Sequence, residues 1–462
     1  MRSNRLVRFR TATEGCGGLL VILLSVLSAR GWGPHEVITQ AALDVLGTNE
    51  ALVVHLGTQA QRLTNYAWMG DYFGVVVEEP DELFFADDYL LFPEVTKYFD
   101  HTGPEVTQAL RPFFKRALQA WRTENHANAA RWIGALVHFV QDAGCPPHAA
   151  GLRGDVHTKM ENWVETDQIR ISDHHPATLG TTDDQALQAL LRRVDELIPQ
   201  AQERGRRLRV PVEIGNRSAV RGPMLESALE CARLTADLLH TLGQIGSVGG
   251  KGSAVLRGTV SSQAPVGMER FAAKVVLQGT SFSTLADLSG RFEFRNLPAG
   301  TYNVVAFRPG NGTVRITVQL KAGETNACDV TLSKESGNLV PNGDFKLSWV
   351  RPKAPDYWYQ TKSGWEGEPI LLKDGQRYRL VAHFKEGARS AVLARWLKRF
   401  DHAVPRFKIE PRFETRMLTA TNREMVFTAG PNMGLLHLTI RGRTPPASVC
   451  ESISLVPLKT EE

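Results

Sequence analysis

Between Ile245 and Ala254 the spacing of apolar residues changes from three-and-four to two, so no single architecture accommodates the whole chain. Upstream, Val37, Ile38, Ala41, Ala42, Val45 and Leu46 fall on one helical stripe, as do Val106, Leu110, Phe113, Phe114, Ala117, Leu118 and Trp121. Further helices are expected over Ala127–Asp142, Val156–Arg170, Thr182–Arg204 and Met224–Ile245, with Pro146-Pro147 ending one of them. Phe73 to Pro104 reads as a long, aromatic-rich loop, a kind of segment that usually carries function. Gly246 to Ser253 has the composition of a linker. Beyond it, short alternating runs such as Phe292-Phe294, Tyr302-Val304 and Val314-Ile316-Val318 are separated by Gly and Pro turns, the pattern of a β-sandwich. A second polar break, Ser333 to Gly337, precedes another strand-like segment with Trp349, Tyr357, Trp358, Tyr359 and Trp365. The expected architecture is multidomain α plus β: an all-α domain over 32–246, a β-sandwich over 254–333 and a second β-sandwich over 338–462. A length of 462 residues suits two to four domains at about 150 residues each.

Residues 1–31 have the form of an export signal. Arg2 to Arg10 make a basic start, and the apolar run Gly17–Leu27 is too short to span a bilayer. Ala29 and Gly31 supply small residues for cleavage before Trp32. The expectation is a secreted or periplasmic protein with no transmembrane segment in the mature chain, an uncleaved anchor being the alternative. The formal net charge of +5 comes mostly from this segment, which carries +4 and leaves the remainder at +1. Bulk charge therefore makes no case for nucleic acid. No basic amphipathic helix stands out as a membrane-binding signal either. Of the later cysteines, Cys145 and Cys231 share the helical half, and export would permit them to pair.

The chemistry clusters in the helical half. His138 and Asp142 are four residues apart on one helical face, and His157 and Glu161 repeat that spacing on the next helix. His148 lies between them, after the proline pair, while His35 and Asp71 lie upstream. An imidazole nitrogen and a carboxylate oxygen one turn apart converge naturally on a metal ion. Two such pairs and a third histidine within 24 residues make a metal constellation rather than a chance pattern.

The run His138-Phe139-Val140-Gln141-Asp142, followed by Pro147-His148-Ala149-Ala150, resembles the zinc-dependent phospholipase C superfamily, which also contains single-strand nucleases. The resemblance covers residues 32 to about 245. It implies three zinc ions and a mature chain that starts on a tryptophan, here Trp32. Carried over, Trp32 (through its free amine) and His35 would hold one ion with Asp142, which bridges to a second. Asp71, His138 and one further histidine would complete that second site. His148, His157 and Glu161 would hold the third. An α-amine with a pKa near 8 can lose its proton and coordinate near neutrality. In the family a zinc histidine precedes an aromatic-aromatic-Asp run; here Lys97 stands before Tyr98-Phe99-Asp100, and His101 is the substitute. Glu161-Asn162 after His157 leans to the phospholipase branch, since the nuclease branch typically places aspartate there. Tyr72 matches a headgroup-contacting tyrosine, whose face suits a quaternary ammonium.

The resemblance thus implies a secreted zinc phosphodiesterase of the phospholipase C type, acting on a phospholipid or another phosphodiester, with Asp71 as the catalytic residue that positions or deprotonates the attacking water. A nuclease or nucleotidase on the same scaffold is the alternative, and so is a non-catalytic cell-surface carbohydrate-binding protein with a decayed zinc site. The segment from Thr284 through Tyr302 resembles a carboxypeptidase regulatory-like domain. Asn338-Leu339-Val340-Pro341-Asn342-Gly343-Asp344-Phe345, followed by Trp358, resembles galactose-binding-like jelly-roll modules, which implies carbohydrate as a possible partner.

Overall fold

A computed structural model describes residues 34–69, 101–123, 126–247, 252–261, 273–287, 289–308, 311–332, 337–348, 354–360, 364–367, 370–397, 414–430 and 433–459. The export signal, Trp32, Asp71, Tyr72, Lys97 and most of the Phe73–Pro104 segment lie outside these residues.

The helical region runs through α1 (His35–Leu46), α2 (Ala51–Leu56), α3 (Ala60–Met69), α4 (Thr107–Arg122), α5 (His126–Gly144), α6 (Pro146–Ala149), α7 (Gly154–Asn162), α8 (Asp183–Glu213) and α9 (Arg217–Gly246). Its organising element is α5, in which every residue from Asn128 to Gly144 is buried. A helix apolar on all sides belongs in the middle of a bundle, and α3, α4, α8 and α9 surround it. Gly134 makes the closest of these approaches possible. A Cβ there would lie 2.5 Å from the Leu63 carbonyl oxygen and 2.6 Å from Tyr66 Cβ on α3. Gly134→Ala should therefore destabilise the protein by about 1–3 kcal/mol, the usual range for overpacking, despite alanine's higher helix propensity. A denaturant melt checks this, and an unchanged midpoint would contradict it.

The helix ends differ from the sequence expectation in instructive ways. The helix expected over Val156–Arg170 stops at Asn162, Glu165 turns extended, and a single 3₁₀ turn follows at Thr166–Gln168. Glu165 then pairs with Arg221 of α9 at 2.7 Å, so a tertiary ion pair accompanies the break. The helices expected over Thr182–Arg204 and Met224–Ile245 are longer, continuing through Pro199, Pro211 and Pro223. Pro199 sits on an exposed side of α8, where the carbonyl it leaves without a partner can meet water.

Strands follow from Ala254. The first β unit contains β1 (Ala254–Ser261), β2 (Lys274–Leu277), β3 (Ser283–Leu285), β4 (Arg291–Leu297), β5 (Gly300–Phe307), β6 (Val314–Leu320), β7 (Thr325–Ala327) and β8 (Val330–Thr331). One sheet has the order β4-β1-β7, with β8 also on β1; the other has the order β3-β2-β5-β6. Along β4, Phe292 and Phe294 are buried while Arg291, Glu293 and Arg295 are exposed, which is the period of two made visible. The second β unit comprises β9 (Trp358–Gln360), β10 (Gly364–Gly367), β11 (Ile370–Leu371), β12 (Arg377–Phe384), β13 (Ala391–Leu397), β14 (Glu414–Thr419), β15 (Glu424–Thr428), β16 (Leu435–Arg441) and β17 (Cys450–Pro457). Its sheets have the orders β14-β13-β16-β10-β9 and β15-β12-β17. Tyr357, Trp358 and Trp365 are buried in its core, which removes them as platforms for a sugar ring.

The first β unit is fastened to the helices. Asn128, buried on α5, donates its side-chain amide to the carbonyl oxygens of Ser281 at 2.9 Å and Ser283 at 3.1 Å. The Ser281 N–H donates to Gln119 Oε1 at 3.2 Å. Cys145, Cys231, Cys328 and Cys450 are all buried with free thiols, so the Cys145–Cys231 pairing that export would permit is not made.

Candidate metal centre

Five histidines and two carboxylates meet around the C-terminal half of α5. His138 and Asp142 come from consecutive turns of α5 itself, His35 from the start of α1, and His101 from the chain just before α4. His148 lies on α6, and His157 and Glu161 lie one turn apart on α7. The short helix α6 begins with Pro146 in its first turn, where a missing N–H costs nothing. Gly205 of α8 lets it sit close, because a Cβ there would lie 2.2 Å from the Pro146 carbonyl oxygen.

Four of the histidines have their protonation pattern set by backbone or amide oxygens. Nδ1 of His138 faces the Ala67 carbonyl at 2.9 Å, that of His148 the His101 carbonyl at 2.8 Å, and that of His157 the Leu152 carbonyl at 3.1 Å. Nδ1 of His35 faces Gln141 Oε1 at 2.7 Å. Each of these oxygens only accepts, so each Nδ1 carries the proton and, in the neutral ring, Nε2 presents its lone pair inward. Outer-shell bonds of this kind are what orient histidines on a metal.

The inward atoms crowd one another. His101 Nδ1, His138 Nε2 and Asp142 Oδ2 form a triangle with sides of 2.9, 3.0 and 3.1 Å. His35 Nε2 lies 3.3 Å from Asp142 Oδ1. Around Glu161 Oε1, His148 Nε2 stands at 2.9 Å and His157 Nε2 at 2.8 Å. Ligands at 2.0–2.1 Å around a tetrahedral zinc are about 3.3 Å apart, so these edges are of the right size. The last contact is close without hydrogen-bond alignment, and His157 Nε2, Asp142 Oδ1 and Glu161 Oε2 are buried with no hydrogen-bond partner. Buried polar atoms without partners are uncommon. These three belong to one cluster, and a cation would satisfy all of them. Burial would push the Asp142 carboxyl up, but in the metal-free site His148 and His138, when protonated, and hydrogen bonds from His101 and His138 hold it well below the usual carboxylate range. It is therefore an anion at neutral pH.

The residues thus form two linked groups: His35, His101, His138 and Asp142 in one, His148, His157 and Glu161 in the other. A 3.5 Å approach of His148 Nδ1 to Asp142 Oδ1 joins them. Trp32, Asp71 and Tyr72 lie outside the described residues. Two residues in the cluster escape sequence reasoning. Cys145 Sγ lies within 4.8 Å of ligand atoms of His148 and Glu161, and burial, with Glu161 and Asp142 nearby, pushes its thiol well above its ordinary pKa. Gln141 is fully buried; besides accepting from His35, it donates to Thr39 Oγ1 at 2.9 Å. Its position directly before Asp142 was the available signal. Gln141→Ala should weaken metal binding at His35 by about 10- to 100-fold, the usual effect of losing an outer-shell partner. Chelator competition on the folded variant measures it, and unchanged affinity would contradict the role.

Parts of the chain are similar to known proteins. The family model of the carboxypeptidase regulatory-like domain matches residues 255–333. The chain is 25% identical over 186 residues to a phospholipase C of Bacillus cereus, a match covering 37% of this chain and 62% of that protein. A second Bacillus cereus phospholipase C is 25% identical over 162 residues, covering 32% of this chain and 54% of its own. The chain thus spans less than two thirds of the curated relatives it matches. Among solved structures, the alpha toxin of Clostridium absonum aligns at 12% identity with a TM-score of 0.35, over 63% of this chain and 96% of that one. The chain is distantly similar to phospholipase C and carries a match to the carboxypeptidase regulatory-like domain at 255–333.

Proposed function

We propose that the chain is an exported, zinc-dependent phosphoric diester hydrolase of the phospholipase C type. The observation that carries the reading is the buried Asp142 carboxylate set among His35, His101, His138 and His148, with Oδ1 lacking a hydrogen-bond partner. Trp32, His35 and Asp142 would hold one ion; Asp71, His101, His138 and Asp142 a second; and His148, His157 and Glu161 a third. Bound zinc would supply Lewis acidity toward the phosphoryl oxygens and lower the pKa of a water. The chain's own part is to orient and dehydrate. The Nδ1 bonds to Ala67, His101, Leu152 and Gln141 keep the imidazoles aimed. Asp71 takes the proton of the attacking water, and the Tyr72 face receives a cationic headgroup.

Glu161 followed by Asn162 favours a lipid headgroup over single-stranded nucleic acid. The test is metal analysis of the purified protein together with rates on phosphatidylcholine and on single-stranded DNA. About three zinc ions per chain and hydrolysis of the lipid support the proposal. Cleavage of DNA alone would move the chain to the nuclease reading, and one ion or none would leave it without this chemistry.

A further inference from the structure

We infer that the tip of the α8–α9 hairpin is a docking surface for an anionic lipid bilayer. The helices are joined by Gly215, at φ +76°, and Asn216 caps α9 by accepting from the Ala219 N–H. Between Glu203 and Arg221 the chain places six arginines against two glutamates, in a protein whose charge is otherwise nearly balanced. Arg204 is matched by Glu230, Arg209 by Glu213 and Arg221 by Glu165. Arg206, Arg207 and Arg217 are exposed and have no ion pair among the described residues. Arg217 stands in the first turn of α9, where the helix dipole disfavours a cation.

The apolar residues point the same way. Val210 is 60% exposed and Ile214 is 72% exposed, two of the few large aliphatics in the described chain that face solvent. Arg206, Val210 and Ile214 are spaced by four, so they lie along one stripe, while Leu208 and Val212 on the other side are buried in the bundle. A stripe of unpaired guanidinium groups beside exposed aliphatics fits phosphate oxygens above an acyl boundary. Two aliphatics ringed by like charges fit a second copy of the chain poorly, since a stable dimer buries about 1,200 Å² or more. The tip also stands in a defined relation to the metal centre. Gly205 touches the turn that carries His148, and Ile214, which caps the end of α8, lies nine residues further along the chain, about 13 Å at 1.5 Å per residue.

The surface is independent of the catalytic reading, and one experiment separates them. The intact metal-loaded protein is mixed in a stopped-flow with dansyl-labelled vesicles of phosphatidylcholine, with or without phosphatidylserine, and binding is read by tryptophan energy transfer in the first milliseconds. Binding should require phosphatidylserine and fall as salt is raised. The triple variant Arg206→Ser, Arg207→Ser, Arg217→Ser should lose about a hundredfold in affinity, at roughly fivefold per arginine. The double variant Val210→Ser, Ile214→Ser should lose at least about tenfold. Both should keep the wild-type melting midpoint and the wild-type rate on a soluble short-chain phosphodiester. Wild-type protein that ignores anionic vesicles, variants that bind as well as wild type, or concentration-dependent dimerisation abolished by the double variant would each overturn the inference. Bilayer binding without hydrolysis of the soluble ester would instead count against the catalytic reading alone.

Discussion

Asp142→Asn is expected to remove more metal and more activity than any other single substitution in the helical region. The two carboxylate oxygens of Asp142 are shared out: Oδ2 stands with His101 and His138, Oδ1 with His35 and His148. Asparagine keeps the shape but loses the charge, and one of its two faces becomes an N–H₂ donor directed at atoms that need an acceptor. Losing one partner from a buried charged set costs about 3–5 kcal/mol, or roughly 10²- to 10⁴-fold in binding or rate, and here the loss falls on both sides at once. Glu161→Gln is the control, because among the described histidines Glu161 stands with His148 and His157 of one group. Metal content by mass spectrometry and kcat/KM on the same samples decide the matter. If Glu161→Gln loses as much metal and rate as Asp142→Asn, Asp142 does not bridge.

Stripping the metal should lower the melting temperature of the helical region steeply while leaving the β units where they were. His35, His138 and Asp142 are fully buried, and His148, His157 and Glu161 nearly so. Without cations, their inward lone pairs face one another in a dry interior, an arrangement that costs energy wherever no proton can be shared. An ion present at a thousand times its dissociation constant stabilises the native state by about 4 kcal/mol. For a region of this size 1 kcal/mol is worth about 2–4 °C, so each ion should be worth roughly 8–16 °C. Calorimetry with and without a chelator reads this directly. Coincident, unshifted transitions would mean that the cluster is held by protons rather than metal.

The parts of the site legible in the sequence are those set by a single helix. His138 with Asp142 and His157 with Glu161 show through because four residues make about one turn, and the turn survives into the structure. His35 approaches Asp142 from 107 residues away in the chain and His101 from 41, and no spacing rule announces that. Gln141 was hidden for another reason: a buried glutamine on a buried helix looks like an error of polarity until its two partners are seen. The helix ends at Asn162 and Glu213 depart from the sequence expectation because a tertiary ion pair accompanies one, and Pro199 and Pro211 do not break the other. The aromatics of the last β unit illustrate the reverse: Trp358 and Trp365 look like ligand platforms in a list of residues and turn out to be core. The basic tip of the α8–α9 hairpin does not read as an amphipathic helix because it is assembled across a turn, with Arg217 supplied by the second helix.

The bond from Asn128 to the first β unit has a mechanical consequence. Asn128 and His138 share α5 and are ten residues apart, about 15 Å along a rigid rod. Whatever the β units are tethered to, a pull on the Ser281–Ser283 segment is taken up at one end of the same strut whose other end aims His138 and Asp142. Load applied there enters α5 through Asn128 and α4 through Gln119, so the helix that carries His138 and Asp142 is one of the two that take it up.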